Sequence, residues 1–175
     1  YTFAPFSMAT IIKEIMILSK ANCKAKKIQL SFDNQSTNDH VNGDAQFIGQ
    51  VVINLITNAI EAISDDGGTI SIQLTDDTVS QHNESVNAVR MDIKDSGCGI
   101  PEEKINAIFM PYETVRHSES NVGLGLSIVS KIIKDHQGLI KITSEAGQGT
   151  NVTVWLPVSN QKILDNESQI KLFEL

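Results

Sequence analysis

Three segments of the sequence alternate apolar and polar side chains, and this period of two residues is typical of a β-strand with one buried face. They are residues 69–74 (TISIQL), 89–94 (VRMDIK) and 152–156 (VTVWL). Shorter alternations at residues 28–32 and around Ile140 and Ile142 predict further strands. Because a sheet with one apolar face must bury that face against a second layer, this pattern restricts the chain to a small set of layered folds.

Three other stretches have the apolar period of an α-helix and can supply that second layer. The first follows Ser7, a predicted N-cap, and its predicted inward face consists of Met8, Ile11, Ile12, Ile15 and Leu18. The second spans about residues 45–63 after a predicted cap at Asp44. The third spans about residues 125–136, and Gly138 is expected to end it.

The order of these segments predicts an α+β fold. We expect a two-layer sandwich in which a mixed, mostly antiparallel sheet is covered on one face by helices. The polar run 33–44 is expected to be a loop, and the polar run 75–87 is expected to be a hairpin loop between two strands.

The composition indicates one ordinary globular domain and excludes several classes of function. The chain has 175 residues, 41% of them hydrophobic, and a formal net charge of −7. We therefore expect no nucleic-acid partner and no direct membrane contact. Two cysteines are too few for a disulfide framework, and no apolar stretch approaches the roughly 18 residues of a membrane span. We expect a cytoplasmic fragment of a longer protein, whose other parts can include a membrane anchor.

A stripe of amides and one carboxylate follows one side of the second predicted helix. It consists of Gln50, Asn54, Asn58 and Glu61, opposite a wide apolar arc. Asparagine is unfavourable inside a helix because its amide competes for backbone hydrogen bonds. An amide oxygen is, however, a hard neutral ligand that suits Mg²⁺ alongside phosphate oxygens. The stripe therefore predicts either a solvated face or a ligand-facing one.

Two glycine-rich stretches are the other candidate ligand sites. The first, DSGCGIP, begins with Asp95 at the end of a predicted strand, and the second, NVGLGLSIV, leads directly into the third helix. A glycine turn at a helix N-terminus is suited to bind an anion. Neither stretch completes the dinucleotide or P-loop fingerprint. An aspartic-protease interpretation of Asp-Ser-Gly requires a second such motif to share the proton, and the chain has none.

Taken in order, these motifs resemble the catalytic ATP-binding domain of bacterial sensor histidine kinases. That domain is part of the GHKL superfamily, with a Bergerat-type fold, which includes DNA gyrase, the mismatch-repair MutL proteins and a heat-shock chaperone. The resemblance covers about residues 5–158. The matching motifs are NLITNA at 54–59, DSGCGI at 95–100, IFMPYETVR at 108–116, GLGL at 123–126 and GQGT at 147–150.

The resemblance implies how the adenine base of ATP is held. Asp95 is expected to accept a hydrogen bond from the adenine amino group, and a carboxylate is chemically suited to this because it only accepts. Gly97, Gly99 and Ile100 are expected to shape the base pocket, with Thr150 close to it.

The resemblance also implies a site for the phosphates and Mg²⁺. Asn58 is expected to coordinate Mg²⁺, and Asn54 to lie one turn earlier, toward the phosphates. Backbone N–H groups of the second glycine motif are expected to bind the phosphates, through Gly123, Leu124, Gly125 and Leu126. Residues 114–122 are expected to form a lid, in which Arg116 replaces a common lysine and Asn121 replaces a glycine.

The resemblance further implies phosphoryl transfer and a set of partners. The hydrolytic branches have Glu where this chain has Asn54, and an amide cannot act as a general base at neutral pH. We therefore expect transfer of the ATP γ-phosphoryl group to a histidine on separate dimerisation helices, and then signalling to a response regulator. No histidine of this chain has the expected acceptor context. Residues 1–158 are predicted to be the catalytic domain and 159–175 a tail or linker. The alternatives are an anti-sigma-type serine kinase and a degenerate nucleotide-binding scaffold.

Overall fold

The computed structural model describes residues 1–81, 84–105 and 125–159. The elements, in chain order, are β1 (Ala4–Ser7), α1 (Met8–Ala25), β2 (Ile28–Asn34), β3 (His40–Gly43), α2 (Ala45–Ala62), β4 (Gly68–Gln81), β5 (Glu84–Asp95), α3 (Glu102–Ile105), α4 (Gly125–Asp135), β6 (Leu139–Glu145) and β7 (Gly149–Pro157). None of the helices in these ranges is long and apolar enough to cross a membrane.

A five-stranded mixed sheet forms one layer, with the strand order β2-β4-β5-β7-β6. Strands β2 and β4 are parallel, and the other neighbours are antiparallel. A separate two-stranded antiparallel sheet joins β1 to β3. Helices α1, α2 and α4 contact one another or the large sheet and form the covering layer. The predicted α+β sandwich is therefore confirmed.

The strand register places apolar side chains in rows across the core face of the sheet. One row consists of Leu74, Met91, Val154 and Ile140. The next consists of Ile72, Ile93, Val152 and Ile142. Except for Ile142, these side chains join one cluster with apolar residues of α1, α2 and α4, including Ile12, Ile56 and Ile133, which are fully buried. Burial of this apolar surface is the main force that holds the two layers together.

Both predicted N-caps are confirmed. The Ser7 hydroxyl accepts a hydrogen bond from the Thr10 N–H at 3.2 Å. The Asp44 carboxylate accepts from the N–H groups of Gln46 and Phe47 at 3.1 and 3.4 Å. Each cap satisfies N–H groups that have no partner within the helix, so the sequence signal for these helix starts was physically sound.

One detail of the predicted helices is wrong, and the predicted end of the third helix forms with the left-handed conformation at a different residue. Leu18 is 67% exposed, because the buried side of α1 continues through Ser19 and Cys23 instead. Gly138 does not adopt the left-handed conformation that ends α4; Gln137 does, with φ 57°. The Gly138 N–H donates to the Ile133 carbonyl at 2.9 Å, which completes the helix end.

The predicted hairpin loop at 75–87 is also wrong. Strands β4 and β5 stay paired from Thr75–Arg90 to Gln81–Glu84, so the described residues of the polar run are strand. Its acidic side chains have partners: Asp77 accepts from the Trp155 indole N–H at 2.9 Å, and Asp76 accepts from Ser36 and Thr37. Those two hydroxyls lower the pKa of Asp76 to about 2. In the other predicted loop, β3 forms because β1 pairs with it.

A buried histidine joins the start of α2 to the end of α4. His136 is 3% exposed, its Nε2 accepts from the Asp44 N–H at 2.9 Å, and its Nδ1 lies 2.8 Å from the Ile132 carbonyl. This pair of contacts requires the neutral ring with hydrogen on Nδ1. The Phe3 ring stacks on the imidazole at 4.9 Å, and the Tyr1 hydroxyl donates to Asp135 beside it. The N-terminal segment thus covers the junction.

We predict that this junction loses stability as the pH falls below about 6.5. Burial lowers the pKa of His136, against the attraction of Asp44 and Asp135 and the hydrogen bond to Ile132. The unfolded chain therefore binds more protons below pH 6.5, and the free energy of unfolding falls there by at most about 1.4 kcal/mol per pH unit. Urea unfolding at pH 7.5, 6.5 and 5.5 measures this slope.

The test variant is His136→Gln, which is expected to flatten the slope between pH 7.5 and 5.5 relative to wild type. Equal slopes in wild type and His136→Gln would contradict the assignment.

Candidate functional site

The third row of the core face is polar, and it crosses the sheet at one end of its strands, where β5 ends and β7 begins. The register aligns Ile70, Asp95, Thr150 and Ser144 across β4, β5, β7 and β6. Residues directly opposite each other in neighbouring strands project to the same face, so these three polar side chains share the face that bears the helices. Asp95 is 6% exposed and Thr150 8% exposed. The row therefore places a carboxylate and two hydroxyls where the apolar core ends.

The first glycine loop turns back onto Asp95. The carboxylate Oδ1 of Asp95 accepts from the Gly97 N–H at 2.7 Å. The Ser96 hydroxyl accepts from the Thr69 N–H at 2.9 Å, and the Ser96 N–H donates to the Thr69 carbonyl at 3.1 Å. These bonds hold the acidic side chain in one orientation at the end of β5.

The same loop packs against the last turn of α2. The Cys98 N–H donates to the Ala62 carbonyl at 3.0 Å. A Cβ atom at Gly97 would lie 2.6 Å from the Ala62 Cβ and 2.7 Å from its carbonyl oxygen, so the close approach requires glycine. Asn58 lies one helical turn before Ala62, so this contact sets the position of the amide-bearing turn relative to Asp95.

The β6–β7 turn meets the first glycine loop backbone to backbone. The Gly147 N–H donates to the Cys98 carbonyl at 2.7 Å. Gly99 has φ 66°, and a Cβ there would lie 2.0 Å from the Glu145 carbonyl oxygen. Gly149 has φ 91°, and its Cβ would lie 2.0 Å from the Asp95 carbonyl oxygen. Side chains at Gly99 and Gly149 would therefore push the two loops apart.

The predicted amides lie beside the start of α4. Asn54 is half-buried and Asn58 is exposed. A Cβ at Gly125, the first residue of α4, would lie 3.9 Å from the Asn58 Oδ1, so this amide oxygen is next to the helix N-terminus. Leu126 packs against the core. The structure thus brings Asn58 close to the described end of the second glycine motif.

Some predicted residues lie outside the described part of the chain. They are Arg116, Gly123, Leu124 and the predicted lid 114–122. Gln50, at the other end of the amide stripe, lines a groove between α1 and α2 with Ile11, Ile15 and Ile53. The stripe therefore does not face one site along its whole length.

Ser144 is a site residue that the sequence analysis missed. It is half-buried, its hydroxyl accepts from the Ile100 N–H at 2.8 Å, donates to the Gly149 carbonyl at 2.9 Å, and lies 2.9 Å from the Thr150 hydroxyl. The available signal was its place two residues after Ile142 in the alternation that begins at Ile140. That alternation places Ser144 on the core face of the sheet, where a polar side chain indicates a specific hydrogen-bonding role.

The polar groups at this end of the sheet are chemically suited to bind a purine nucleotide together with a hard cation. A buried carboxylate suits an amino group on a base, and the exposed amide oxygen of Asn58 beside a helix N-terminus suits a metal ion that also binds phosphates. In the described residues, no three His, Cys, Asp or Glu side chains form a metal cluster.

This arrangement defines an α+β nucleotide-binding domain. Residues 43–160 match the family model described as histidine kinase-, DNA gyrase B-, and HSP90-like ATPase. The chain belongs to this family, and family membership implies that it binds ATP.

Curated relatives are sensor kinases. The chain is 35% identical over 150 residues to the sensor histidine kinase ZraS of Escherichia coli strain K12, a match that covers 86% of this chain and 30% of ZraS. It is 36% identical over 153 residues to sporulation kinase A of Bacillus subtilis strain 168, covering 86% of this chain and 23% of that kinase. The chain therefore spans less than a third of the length of these relatives.

A solved structure supports the same class. The nucleotide-free catalytic domain of histidine kinase ThkA matches with a TM-score of 0.76 and 31% identity, over 91% of this chain and 97% of that domain. The similarity thus extends over nearly all of an isolated catalytic domain.

We predict that alanine at Gly149 destabilises the protein more than alanine at Gly147. Both residues have positive φ, 91° and 81°, so each substitution costs roughly 1–2 kcal/mol of backbone strain. Only the Gly149 substituent collides with backbone, at the Asp95 carbonyl, whereas a Cβ atom at Gly147 would have no neighbour within 4 Å. Overpacking adds about 1–3 kcal/mol at Gly149. Urea unfolding of both variants measures the difference, and equal losses would show that the loops are not in close contact.

Proposed function

We propose that this chain is the catalytic domain of a sensor histidine kinase, which binds ATP with Mg²⁺ and transfers the γ-phosphoryl group to a histidine on a separate dimerisation domain. The observation that carries the proposal is the contact between the Asp95 loop and the last turn of α2, which lies one helical turn after Asn58. The kinase relatives support the reaction class.

The Asp95 carboxylate would accept a hydrogen bond from the exocyclic amino group of adenine. Guanine has a carbonyl oxygen at the same position, and two acceptors facing each other repel, so the site would favour ATP over GTP. Gly97 and Gly99 would let the base approach the loop backbone closely, because neither has a side chain. Ile100 would pack against the base, and Thr150 would lie beside Asp95.

Asn58 and the start of α4 would hold the triphosphate and Mg²⁺. The Asn58 amide oxygen would coordinate Mg²⁺, with Asn54 one turn closer to the phosphates. Bound Mg²⁺ would neutralise negative charge on the phosphate oxygens. The N-terminus of α4 at Gly125 would attract phosphate through its unpaired N–H groups and helix dipole, together with Gly123, Leu124 and Leu126. Arg116 would add a bidentate phosphate contact.

Phosphoryl transfer is favoured over hydrolysis by the amide at position 54. A general base is needed to activate water, and the Asn54 amide has no basic group at neutral pH. The remaining catalytic contribution would be positioning and charge neutralisation, which suits transfer to a protein acceptor.

The acceptor and downstream partner would lie outside this chain. We propose that dimerisation helices of a longer parent protein carry the acceptor histidine and that a response regulator receives the phosphoryl group. One solved structure with a TM-score of 0.71 and 31% identity is ThkA in complex with the response regulator TrrA, which supports this class of partner. Residues 1–158 would form the catalytic domain in the cytoplasm, and 159–175 a tail or linker.

We predict that Asp95→Asn weakens ATP binding by about tenfold or more. The substitution removes a charge-assisted hydrogen bond worth about 1.5–3 kcal/mol, and about 1.4 kcal/mol corresponds to tenfold in affinity. Titration calorimetry with ATP and Mg²⁺ measures the dissociation constant. Asp33→Asn is the control, since it removes an exposed carboxylate on the edge strand β2. Unchanged affinity in folded Asp95→Asn would refute the adenine contact.

We predict that the chain alone binds ATP but does not label itself. After incubation with γ-labelled ATP and Mg²⁺, the isolated chain is expected to carry no acid-labile, base-stable label. The full-length parent is expected to gain such a label, and Asn58→Ala in that parent is expected to abolish it.

Three results would contradict this proposal. Acid-labile label on the isolated chain would place the acceptor within it. Acid-stable label on serine of a partner protein would favour the serine kinase alternative. Absence of heat with millimolar ATP would favour the scaffold alternative.

A further inference from the structure

The Ser144 hydroxyl contacts three polar groups on two segments, the first glycine loop and the start of β7. It accepts from the Ile100 N–H of the first glycine loop at 2.8 Å and donates to the Gly149 carbonyl at 2.9 Å. The third contact joins it to the Thr150 hydroxyl on β7 at 2.9 Å, where either oxygen has the geometry to donate. Thr150 in turn pairs with Asp95 in the strand register.

Counting hydrogens decides the direction of the third bond. The Ile100 N–H can only donate and the Gly149 carbonyl can only accept. Ser144 has one hydroxyl hydrogen, and the Gly149 carbonyl takes it. All three contacts are therefore hydrogen bonds only if the Thr150 hydroxyl donates to Ser144. This directs the Thr150 hydrogen away from Asp95 and leaves lone pairs of its oxygen as the available polar groups.

The direction of this bond makes Asp95 and Thr150 of the polar row both hydrogen-bond acceptors. The Asp95 carboxylate only accepts hydrogen bonds, and Thr150, with its hydrogen committed to Ser144, also acts as an acceptor. A 6-amino group, which carries two hydrogens, matches such a row, whereas a carbonyl oxygen at the same position of the base meets two acceptors. Without Ser144, the Thr150 hydroxyl is free to rotate and to donate to that carbonyl.

We propose that Ser144 is a positioning residue that sets base specificity by holding Thr150 as an acceptor. The inference rests on the proposed function, because it assumes that the base lies against Asp95. Ser144 does not touch the ligand in this account; it acts through Thr150 and also ties Ile100 of the first glycine loop to β6. It makes the site reject 6-oxopurines, such as hypoxanthine and guanine, in favour of 6-aminopurines.

The test compares ATP with ITP, because hypoxanthine replaces the 6-amino group by a carbonyl and, unlike guanine, has no 2-amino group; its other difference from adenine is a hydrogen on N1. Dissociation constants of both nucleotides with Mg²⁺ are measured by competition against a fluorescent ATP analogue. Ser144→Ala is expected to reduce the ratio of ITP to ATP dissociation constants by about tenfold, mainly through tighter ITP binding. Ser144→Thr keeps the hydroxyl and is expected to retain the wild-type ratio.

A second comparison shows whether the effect passes through Thr150. Thr150→Val removes the hydroxyl at nearly constant volume. If Ser144 acts through that hydroxyl, adding Ser144→Ala to Thr150→Val leaves the ratio unchanged, so the two substitutions are strongly non-additive. A purely structural role would weaken both nucleotides equally and lower the free energy of unfolding without changing the ratio, which would overturn the proposal.

The outcomes separate this proposal from the proposed function. A folded wild-type chain that binds no ATP overturns both. A wild-type chain that prefers ATP, together with Ser144→Ala that keeps the full preference, overturns only the role of Ser144. If Ser144→Ala does not fold, Ser144→Cys takes its place, because the thiol nearly keeps the volume but is a weak donor and acceptor. An unchanged ratio in Ser144→Cys would likewise overturn the role of Ser144.

Discussion

The contact between the first glycine loop and the last turn of α2 is the constraint on which the rest of the site depends. The Cys98 N–H bonds to the Ala62 carbonyl, and the absence of a side chain at Gly97 lets the loop approach the helix. The same loop returns an N–H to the Asp95 carboxylate. One short segment therefore orients the buried acid and sets its position relative to the amide-bearing turn of α2. If the loop did not pack on α2, the Asp95 carboxylate and the Asn58 amide would both still be present but would lie farther apart.

The opposite end of α2 is held by a different device. At its start, the Asp44 N–H donates to His136 at the end of α4, so the two helices are joined by a buried polar contact. Burying polar groups is costly unless they are paired, and both ring nitrogens of His136 have partners. Because α4 begins beside Asn58 and ends beside Asp44, the relative position of the helices determines where the amide lies with respect to the N-terminus of α4. Packing far from the site thus contributes to its geometry.

Much of the fold could be predicted because its signals are local. Alternation predicted the strands and a helical period predicted the helices, while Ser7 and Asp44 predicted where two helices start. The wrong predictions have a common cause. The described residues of the polar run 75–87 are strand because β4 and β5 pair there and because Asp76 and Asp77 bond to Ser36, Thr37 and Trp155, which are distant in sequence. Leu18 is exposed because the neighbouring helix covers a side of α1 that includes Ser19.

The sequence by itself determined which chemical groups are present: a carboxylate at the end of a strand, two glycine loops and two amides one helical turn apart. Local periodicity also determined which of them lie at the ends of elements. Only the tertiary structure decided the register that aligns Asp95, Thr150 and Ser144, the packing of Gly97 on Ala62, and the position of Asn58 beside Gly125. The physical reason is that register and helix packing depend on contacts between residues far apart in the chain, and a pattern of near neighbours does not contain them.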